Sequence, residues 1–382
     1  MSAAPSPPRR SGPRNDVAIY SPFASGYYDR AAPQGGGAEL QMTMLARELA
    51  ARGWRTAHIV FPVADPVELA APAPELSERE PYHGNDAGPA ALKEAAAIWR
   101  ALRRADARVY VVRGSAVYVA VVAAFCRAHR RRLVFSVAND FDLVPEPIHD
   151  SPRKHGLYVR ALRRADAVIV QSTHQVELAR KMLRPGHRLE FVPSFSDASG
   201  EVAAEPEAFL WVSRVVPHKQ PLEFVRLARQ LPEARFVMVA NDDVGEYEDL
   251  QRQIHAGAAE LPNLELLGTL RREEVLARIE RAVAIVSTSL WEGMPNVFLE
   301  AWGRGVPALS LSFDPDGLID ARHLGLAADG SWERFVDGAR TLWSDAESRA
   351  EFGANARRYL EERHSPAAVG ASWESILTEV AR

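Results

Sequence analysis

The chain has little cysteine, no long apolar stretch and no spacing typical of a metal site. Cys126 is the one cysteine, which excludes a disulfide framework and is compatible with a reducing compartment. The apolar run that contains it, 117–126, is far shorter than the roughly 20 residues that cross a bilayer, so we expect no transmembrane helix. No His-x3-His spacing occurs, and the nearest approaches to a metal-binding acidic pair, Asp242-Asp243 and Asp314-Pro-Asp316, are predicted to lie on turns, so we predict no required metal.

Charge is distributed unevenly along the chain. Residues 1–15 are rich in proline, serine and arginine without the apolar core of an export signal, which predicts a disordered leader and a cytoplasmic protein. Residues 1–198 carry 27 basic and 20 acidic side chains, and residues 199–382 carry 19 and 30. The arginine-rich stretches at 100–108, 127–132 and 153–164 suit an anionic membrane surface or a phosphorylated acceptor. Solvated helix faces are the alternative interpretation.

A length of 382 residues exceeds what one hydrophobic core usually serves, so two domains are expected. Apolar runs alternate with amphipathic stretches, beginning at 17–20, 38–52 and 56–61, in the rhythm of a parallel sheet covered by helices. One octapeptide occurs at both 100–107 and 160–167, each time before an apolar run, which predicts two helix ends that lead into buried strands.

The polar stretch 194–207 lacks an apolar period and is predicted to be a linker. We therefore expect a Rossmann-like α/β domain over 16–193, a second α/β domain over 208–363 and a final helix within 364–382. Strands of the second domain are predicted at 209–213, 235–240, 264–267 and 283–287. Its helices are predicted at 221–230, 247–259, 272–281 and 345–362.

Two cations follow the first predicted strand of the second domain. Arg214 ends that strand and Lys219 lies on the next loop, at the edge where open α/β sheets bind ligands. An arginine fork and a lysine point charge suit a diphosphate, whose negative charge grows as a bond to it breaks. A solvated loop is the alternative interpretation of these two residues.

Two carboxylates flank a tight turn further along the chain. Glu292 precedes Gly293, Met294 and Pro295, and Asn296 begins a predicted helix that contains Glu300. Backbone N–H groups at the start of such a helix suit an anion. A loop carboxylate plus a carboxylate near a helix amino end would explain Glu300, but not the turn.

Two further places in the first domain suit a ligand. Three glycines, including Gly36 and Gly37, let the backbone approach a phosphate or a sugar closely, although they do not form a dinucleotide fingerprint. Asn139 and Asp140 follow another strand, at 134–138. An asparagine cannot act as a general base at neutral pH, so Asn139 would position a hydroxyl, and a simple turn is the alternative.

These stretches together resemble the family 4 glycosyltransferases. Glu292 and Glu300 match the Glu-x7-Glu motif of that family, and Arg214 and Lys219 match its Gly-Arg-x4-Lys-Gly signature, in which Ser213 and Gln220 replace the glycines. The resemblance implies a GT-B fold, in which two Rossmann-like domains face a cleft and the last helix crosses back to the first domain.

The resemblance also implies an activity, namely retaining transfer of a hexose from a nucleotide diphosphate sugar. No cofactor is implied besides that co-substrate, and no nucleic acid. The acceptor would be a glycan or a lipid-linked glycan in envelope or secreted polysaccharide synthesis, at the inner face of the membrane.

The catalytic residues implied are Arg214, Lys219 and Glu292. The donor-binding residues implied are Gly36, Gly37, Gly293, Met294, Pro295, Asn296, Val297 and Glu300. Asn139 and Asp140 would lie beside the reacting sugar, with Asn139 at a position where histidine is common in the family.

Other functions fit the same residues. A non-catalytic sugar-nucleotide-binding subunit and a nucleotide-sugar epimerase are the main alternatives, and a phosphorylase or a dinucleotide oxidoreductase fits less well. The sequence does not identify the base and sugar of the donor, because loops of variable type at 242–245 and 268–272 would bind them.

Overall fold

The computed structural model describes residues 12–80, 89–144, 152–197, 199–203, 205–241 and 247–382. The chain divides into two compact units. Unit 1 comprises residues 1–170, 175–192 and 370–382, and unit 2 comprises residues 171–174 and 193–369. Most of the predicted leader and the predicted base-binding loop at 242–245 lie outside the described residues.

Unit 1 is a parallel sheet with helices on its faces. Its sheet has seven strands, in the order β3-β2-β1-β4-β5-β6-β7, and every neighbouring pair is parallel. The strands are β1 (Asn15–Tyr20), β2 (Thr56–Val60), β3 (Glu75–Glu78), β4 (Ala107–Arg113), β5 (Arg132–Ser136), β6 (Ala167–Val170) and β7 (Leu189–Phe191). The helices are α1 (Gly37–Ala51), α2 (Pro89–Ala105), α3 (Tyr118–Ala128), α4 (Pro152–Leu162) and α5 (Thr173–Met182).

The core of unit 1 lies on both faces of this sheet. Tyr110 and Val112 of β4 pack with residues of α2 and α3, whereas Val109 and Val111, on the opposite face, are also fully buried. Side chains alternate between the faces of a strand, so a parallel strand covered on both sides has an almost continuous apolar sequence. Cys126 of α3 is buried in this core.

Unit 2 repeats the architecture with six parallel strands, in the order β10-β9-β8-β11-β12-β13. The strands are β8 (Ala208–Arg214), β9 (Phe236–Asn241), β10 (Leu264–Leu267), β11 (Ala282–Ser287), β12 (Ala308–Ser310) and β13 (Gly325–Ala327). The helices are α6 (Pro221–Gln230), α7 (Glu248–Ala259), α8 (Arg272–Ile279), α9 (Asn296–Gly303), α10 (Leu318–Ala321), α11 (Trp332–Ser344) and α12 (Ala346–Arg363).

The strand order of unit 2 reverses between β8 and β11, which are neighbours although they are far apart in the chain. We call this place the switch point of unit 2. The loops that leave these two strands therefore open side by side, which is where open α/β sheets bind ligands. Helix α9 packs closely on α12: Gly305, two residues after the end of α9, has a φ of 75°, and a side chain on Gly353 of α12 would collide with the carbonyl oxygen of Gly305. Glycine at both positions fixes the helix that follows the Glu292 turn.

The last helix, α13 (Pro366–Val380), joins unit 1 from Gly370 onward. Glu374 on this helix accepts hydrogen bonds from Arg52 Nη1 at 3.1 Å and from Trp54 Nε1 at 3.0 Å. Arg188 Nη2 pairs with Glu379 at 2.9 Å. The helix is thus tied to unit 1 by ionic contacts as well as by its buried face.

The predicted fold class, two Rossmann-like α/β domains, is confirmed by these two sheets. Both copies of the repeated octapeptide lie at the end of a helix and lead into β4 and β6. Two segments differ from expectation. Asn15, placed in the leader, begins β1, because its backbone N–H and its side-chain amide donate to the carbonyls of Asp106 and Ala105. Val202 of the predicted linker donates its backbone N–H to the carbonyl of Arg304, so this segment is tied to unit 2.

Candidate active site

The predicted cationic loop begins where β8 ends. Arg214 is the last residue of β8 and its side chain is exposed. Pro217 to Lys219 form one 3₁₀ turn, and Gln220 at φ 46° redirects the chain into α6. The left-handed conformation at Gln220 is unusual for a residue other than glycine. It occurs at the position where the family signature has glycine.

A buried threonine joins this loop to the loop that follows β11. The Thr288 hydroxyl donates to the carbonyl of Lys219 at 2.7 Å and accepts from Trp211 Nε1 at 3.0 Å. Leu290 adds a backbone bond of 2.9 Å to the carbonyl of His218. The two loops at the switch point therefore form one hydrogen-bonded unit, and sequence reasoning missed the residue at its centre.

Lys219 and Glu292, predicted separately, form an ion pair with each other. The Lys219 ammonium contacts Glu292 Oε1, and the Ser289 hydroxyl donates to the same oxygen at 2.8 Å. The side chains are only 15% and 18% exposed. In such a setting charge–charge interactions are stronger than at the surface, and both groups are held in place before a ligand arrives.

His218 and Trp291 form a stacked pair beside these charges. Their ring centroids are 4.1 Å apart and the rings are nearly parallel, at 10°. Partial burial lowers the pKa of His218, and Lys219 and Arg214 lower it further, against the opposing effect of Glu292. The three residues predicted to be catalytic therefore all influence the pKa of His218 through their charges.

The turn after Glu292 leads directly into α9. Pro295 caps the helix, Asn296 is its first residue as predicted, and Phe298 donates its backbone N–H to the carbonyl of Pro295 at 3.1 Å. Met294 and Val297 pack against the core of unit 2. The first backbone N–H groups of a helix have no acceptor within it, so this end of α9 attracts an anion.

Glu300 lies deeper in α9 and has different partners. It is only 7% exposed, and Arg272 Nε donates to its Oε1 at 2.8 Å. Burial raises the pKa of Glu300, while the positive charges of Arg272 and Arg304 oppose the rise. Arg304, directly after α9 and four residues from Glu300, donates from Nη1 to the Glu300 carbonyl at 3.2 Å. Arg272 ends the loop 268–272 that was predicted to bind the donor, but its pairing with Glu300 was not predicted, and sequence reasoning missed Arg304, although its four-residue spacing from Glu300 was a signal.

The glycine pair of unit 1 lies in the loop after β1. Gly36 caps α1 and Gly37 is the first residue of that helix, and both are exposed. The Tyr27 hydroxyl donates to the carbonyl of Gly35 at 2.7 Å, which holds the loop. The exposed backbone of the two glycines is therefore accessible at the amino end of α1.

The other predicted residues of unit 1, Asn139 and Asp140, follow β5. Asn139 is exposed, and Asp140 accepts a bond from Gln175 Nε2 at 3.1 Å. Asp142 is fully buried and caps the turn by accepting from the backbone of Ala138 at 2.6 Å and of Ser115 at 2.8 Å. Asp142 is therefore structural, and Asn139 and Asp140 are the accessible polar side chains at this strand end.

A partly buried cation at the end of β4 was not predicted. Arg113 Nη1 donates to the Ser136 hydroxyl at 2.8 Å. Burial lowers the pKa of Arg113 to about 10, and the charges of Asp142 and Glu39 oppose this shift. Its position at the end of an apolar strand was the available signal.

Two features are absent from the described part of the chain. No group of three or more histidine, cysteine or acidic side chains is arranged to hold a metal ion there. None of the helices in that part combines the length and the apolar character that a membrane crossing requires. Metal independence stays a prediction.

The two-sheet architecture and the site of unit 2 define a class, the glycosyltransferase enzymes of GT-B fold. The model of the Glycosyl transferases group 1 family matches residues 195–359, and that of the Glycosyl transferase 4-like domain matches residues 36–194. Together these matches cover most of the chain, one for each sheet. The chain belongs to the family 4 glycosyltransferases.

Solved structures show the same fold. Sucrose-phosphate synthase from Thermosynechococcus elongatus has a TM-score of 0.77 at 16% identity, over 96% of this chain and 99% of that chain. Anabaena Alr3699/HepE, solved in complex with UDP and glucose, has a TM-score of 0.73 at 17% identity, over 96% and 100%.

Curated relatives match over shorter segments. The UDP-Gal:alpha-D-GlcNAc-diphosphoundecaprenol alpha-1,3-galactosyltransferase of Escherichia coli is 31% identical over 107 residues, which are 26% of this chain and 27% of that protein. Glycosyltransferase 1 domain-containing protein 1 of Xenopus tropicalis is 28% identical over 115 residues, or 30% and 33%. The chain thus matches about a third or less of the length of these two relatives.

Proposed function

We propose that this protein is a retaining glycosyltransferase that moves a hexose from a nucleotide diphosphate sugar to a hydroxyl of a glycan or lipid-linked acceptor. The observation that carries the proposal is the ion pair of Lys219 and Glu292, held by Thr288 and Ser289 at the switch point of unit 2. A cation, a carboxylate and a helix amino end are thus fixed together, as recognition of a diphosphate and its sugar requires.

The proposed step breaks the bond between C1 of the sugar and the diphosphate oxygen. The electron pair of that bond leaves with the diphosphate. The acceptor hydroxyl oxygen bonds to C1 on the same face, and its proton passes to an oxygen of the departing phosphate. No other co-reactant is needed, because the leaving group itself takes up the proton.

The predicted site residues of unit 2 have separate roles in this step. Arg214 and Lys219 stabilise the charge that develops on the diphosphate. Glu292 accepts hydrogen bonds from hydroxyls of the donor sugar, and it orients Lys219 through their ion pair. Glu300 accepts from the ribose hydroxyls, as an ionised carboxylate does. The backbone from Gly293 through Val297 faces the sugar and the diphosphate.

The candidates of unit 1 are proposed to act on the sugar and the acceptor. Gly36 and Gly37 offer exposed backbone near a phosphate or a sugar. Asn139 and Asp140 position a hydroxyl, since asparagine cannot remove its proton. Because Arg214, Lys219 and the amino end of α9 supply the positive charge, we propose that no metal ion is required.

We further propose that an anionic membrane surface is a partner in the cytoplasm. Along one side, α4 and the turn directly after it expose three arginines around Leu157, which is 53% exposed. We call this face the arginine stripe: Arg153, Leu157, Arg160 and Arg164. The pKa of Arg164 is lowered by desolvation and by the neighbouring charges of Arg160, Arg127 and Arg184, so the cations are close together. Clustered cations with an exposed apolar side chain suit anionic lipid headgroups.

The test is a transfer assay with UDP-, GDP- and ADP-linked hexoses and a lipid-diphosphate-linked sugar acceptor, as named for the E. coli relative. We expect one donor to release its nucleoside diphosphate and the product to keep the anomeric configuration of the donor, by NMR. Activity is expected to persist in chelator. Glu292→Gln should lower turnover about 100-fold, whereas Glu333→Gln, an exposed carboxylate of α11, should not change it.

Three outcomes of this assay would contradict the proposal. An inverted anomer would reject the retaining mechanism, and a strict magnesium requirement would reject metal independence. If no donor is cleaved by the wild-type protein or by Glu333→Gln, the transferase proposal itself fails.

A further inference from the structure

Glu300 is a buried carboxylate with one bonded oxygen. Arg272 Nε donates to Oε1 at 2.8 Å, and among the described residues no hydrogen bond reaches Oε2. Removing a carboxylate from water is costly unless it is paired, so this side chain needs its partner. The carboxylate is thus fixed at one oxygen and available at the other.

Arg272 is itself held in place. It is the first residue of α8, directly after the loop that leaves β10. Its Nη2 lies 3.9 Å from Asp197 Oδ2, and its side chain is 23% exposed. A guanidinium between two carboxylates has a defined plane, and its directional donors fix the orientation of a bound carboxylate.

Arg304, the other cation near Glu300, is engaged elsewhere. Its Nη1 donates to the backbone carbonyl of Glu300 at 3.2 Å and its Nε to Glu280 Oε1 at 3.2 Å, and it is only 4% exposed. Arg304 therefore fixes the backbone of α9 and contributes charge. The orientation of the Glu300 carboxylate depends on Arg272.

We infer that Arg272 is a positioning residue of the donor site, which holds Glu300 so that its open oxygen accepts the ribose hydroxyls of a nucleoside diphosphate. This inference rests on the proposed function. It assigns discrimination between ribose and 2′-deoxyribose to a residue that does not itself contact the ribose. Without Arg272 the carboxylate loses both its compensating charge and its fixed direction.

The experiment measures binding of UDP, GDP and ADP and of their 2′-deoxy forms by calorimetry. In the wild-type protein we expect the best ribonucleotide to bind about tenfold more tightly than its 2′-deoxy form, because one bond to a charged acceptor is lost. In Arg272→Gln the ribonucleotide should bind about tenfold less tightly. Its 2′-deoxy form should change little, so the ratio of affinities falls toward one.

The matched control is Arg278→Gln, on the same helix. Arg278 pairs with Glu265 at 3.3 Å near the surface, with side chains 39% and 50% exposed. This variant loses an arginine and an ion pair from α8 without any change at Glu300. It should keep both the affinity and the ratio of the wild-type protein.

A second variant keeps the inference testable if Arg272→Gln does not fold. Arg272→Lys retains the charge but not the directional fork, so it should fold and still lose most of the discrimination. Full discrimination in either folded variant would overturn the inference while the proposed function stands. Equal binding of the ribose and 2′-deoxy forms by the wild-type protein would overturn it as well. Failure of the wild-type and Arg278→Gln proteins to bind any ribonucleotide would instead reject the proposed function.

Discussion

Single uncharged residues hold the charges of the candidate site. Thr288 fixes the backbone at Lys219, and Ser289 fixes the carboxylate of Glu292, each through one hydroxyl. Both lie in a short run of serine and threonine that has no distinctive sequence pattern. The sequence predicted Lys219 and Glu292 through the family motifs, but it did not predict their hydroxyl partners. Which neighbouring hydroxyl meets which group depends on the strand order of the folded sheet.

His58 of β2 is a buried histidine that makes stability depend on pH. It is fully buried, its Nδ1 is hydrogen-bonded to the Tyr28 hydroxyl at 2.8 Å, and within the described structure Nε2 has no hydrogen-bond partner. Burial lowers the pKa of His58 to about 3, with a smaller contribution from the charge of Arg47. The folded protein therefore keeps this ring neutral at pH values where an exposed histidine is charged.

The sign of the effect follows from proton linkage. Below a pKa of about 6.5 the unfolded chain binds a proton at His58 that the folded chain does not. The stabilising contribution is therefore complete above about pH 6.5 and is lost as the pH falls from there toward the folded-state pKa of about 3. Between about pH 7.5 and about pH 5.5 the loss is ~1.4 kcal/mol.

We predict that His58→Phe flattens this dependence in thermal or urea unfolding measured at both pH values. His364, buried at the end of α12 with its pKa lowered to about 4 by burial, keeps its own contribution in the variant. His255→Gln, an exposed histidine of α7, is the control and should keep the wild-type slope. An unchanged pH dependence in a folded His58→Phe protein would contradict the assignment.

At the scale of helices and strands, strong periodic patterns were predictable and short edge elements were not. The predicted bounds of α6 and β10 agree with the structure, and β8, β11 and α9 are close to prediction. The three-residue strands β7, β12 and β13 and the helix α11 were not identified. Strands of three residues are too short to show an alternation, and they exist because a neighbouring strand offers a parallel partner.

The arginine stripe of α4 gives a prediction at the same scale. We expect the protein to bind vesicles that contain phosphatidylglycerol, and not vesicles of phosphatidylcholine alone, with binding that weakens as salt is added. The double variant Arg160→Glu/Arg164→Glu should weaken this binding at least about tenfold, since each arginine near the surface contributes about 1 kcal/mol. Co-sedimentation at several salt concentrations measures it.

The control for the stripe is Arg229→Glu/Arg340→Glu, which makes the same charge change at exposed residues of α6 and α11. It should bind vesicles like the wild-type protein. Equal loss in both double variants would reduce the effect to overall charge and contradict a specific surface on α4.

At the scale of the whole molecule, the proposed diphosphate site lies in the half of the chain whose net charge is negative. Residues 199–382 carry 19 basic and 30 acidic side chains, yet the proposed diphosphate groups lie there. Exposed charges more than about 8–10 Å apart are largely screened at physiological salt. The local field of Arg214, Lys219 and the amino end of α9 therefore outweighs the net charge of that half. Net charge alone would have placed the anion in the other half.

The sequence predicted the two-domain fold and the unit 2 motifs, and it did not predict how the site residues pair. Lys219 meets Glu292 because β8 and β11 are neighbours, and Arg272 meets Glu300 because α8 packs beside α9. Both contacts join segments that are distant in the chain, and one sequence contains no record of such contacts. The family resemblance supplied the residues, and the sheet topology supplied the pairs.

The most direct measurement is thermal unfolding of the wild-type protein with UDP, GDP and ADP, each with and without chelator. We predict that one of them stabilises the protein in both conditions, by roughly 2.7 kcal/mol at 100 times its dissociation constant. Lys219→Ala should lose most of this stabilisation. If none of the three nucleotides stabilises the wild-type protein, the diphosphate roles of Arg214 and Lys219 are contradicted, and a scaffold without donor binding is the better account.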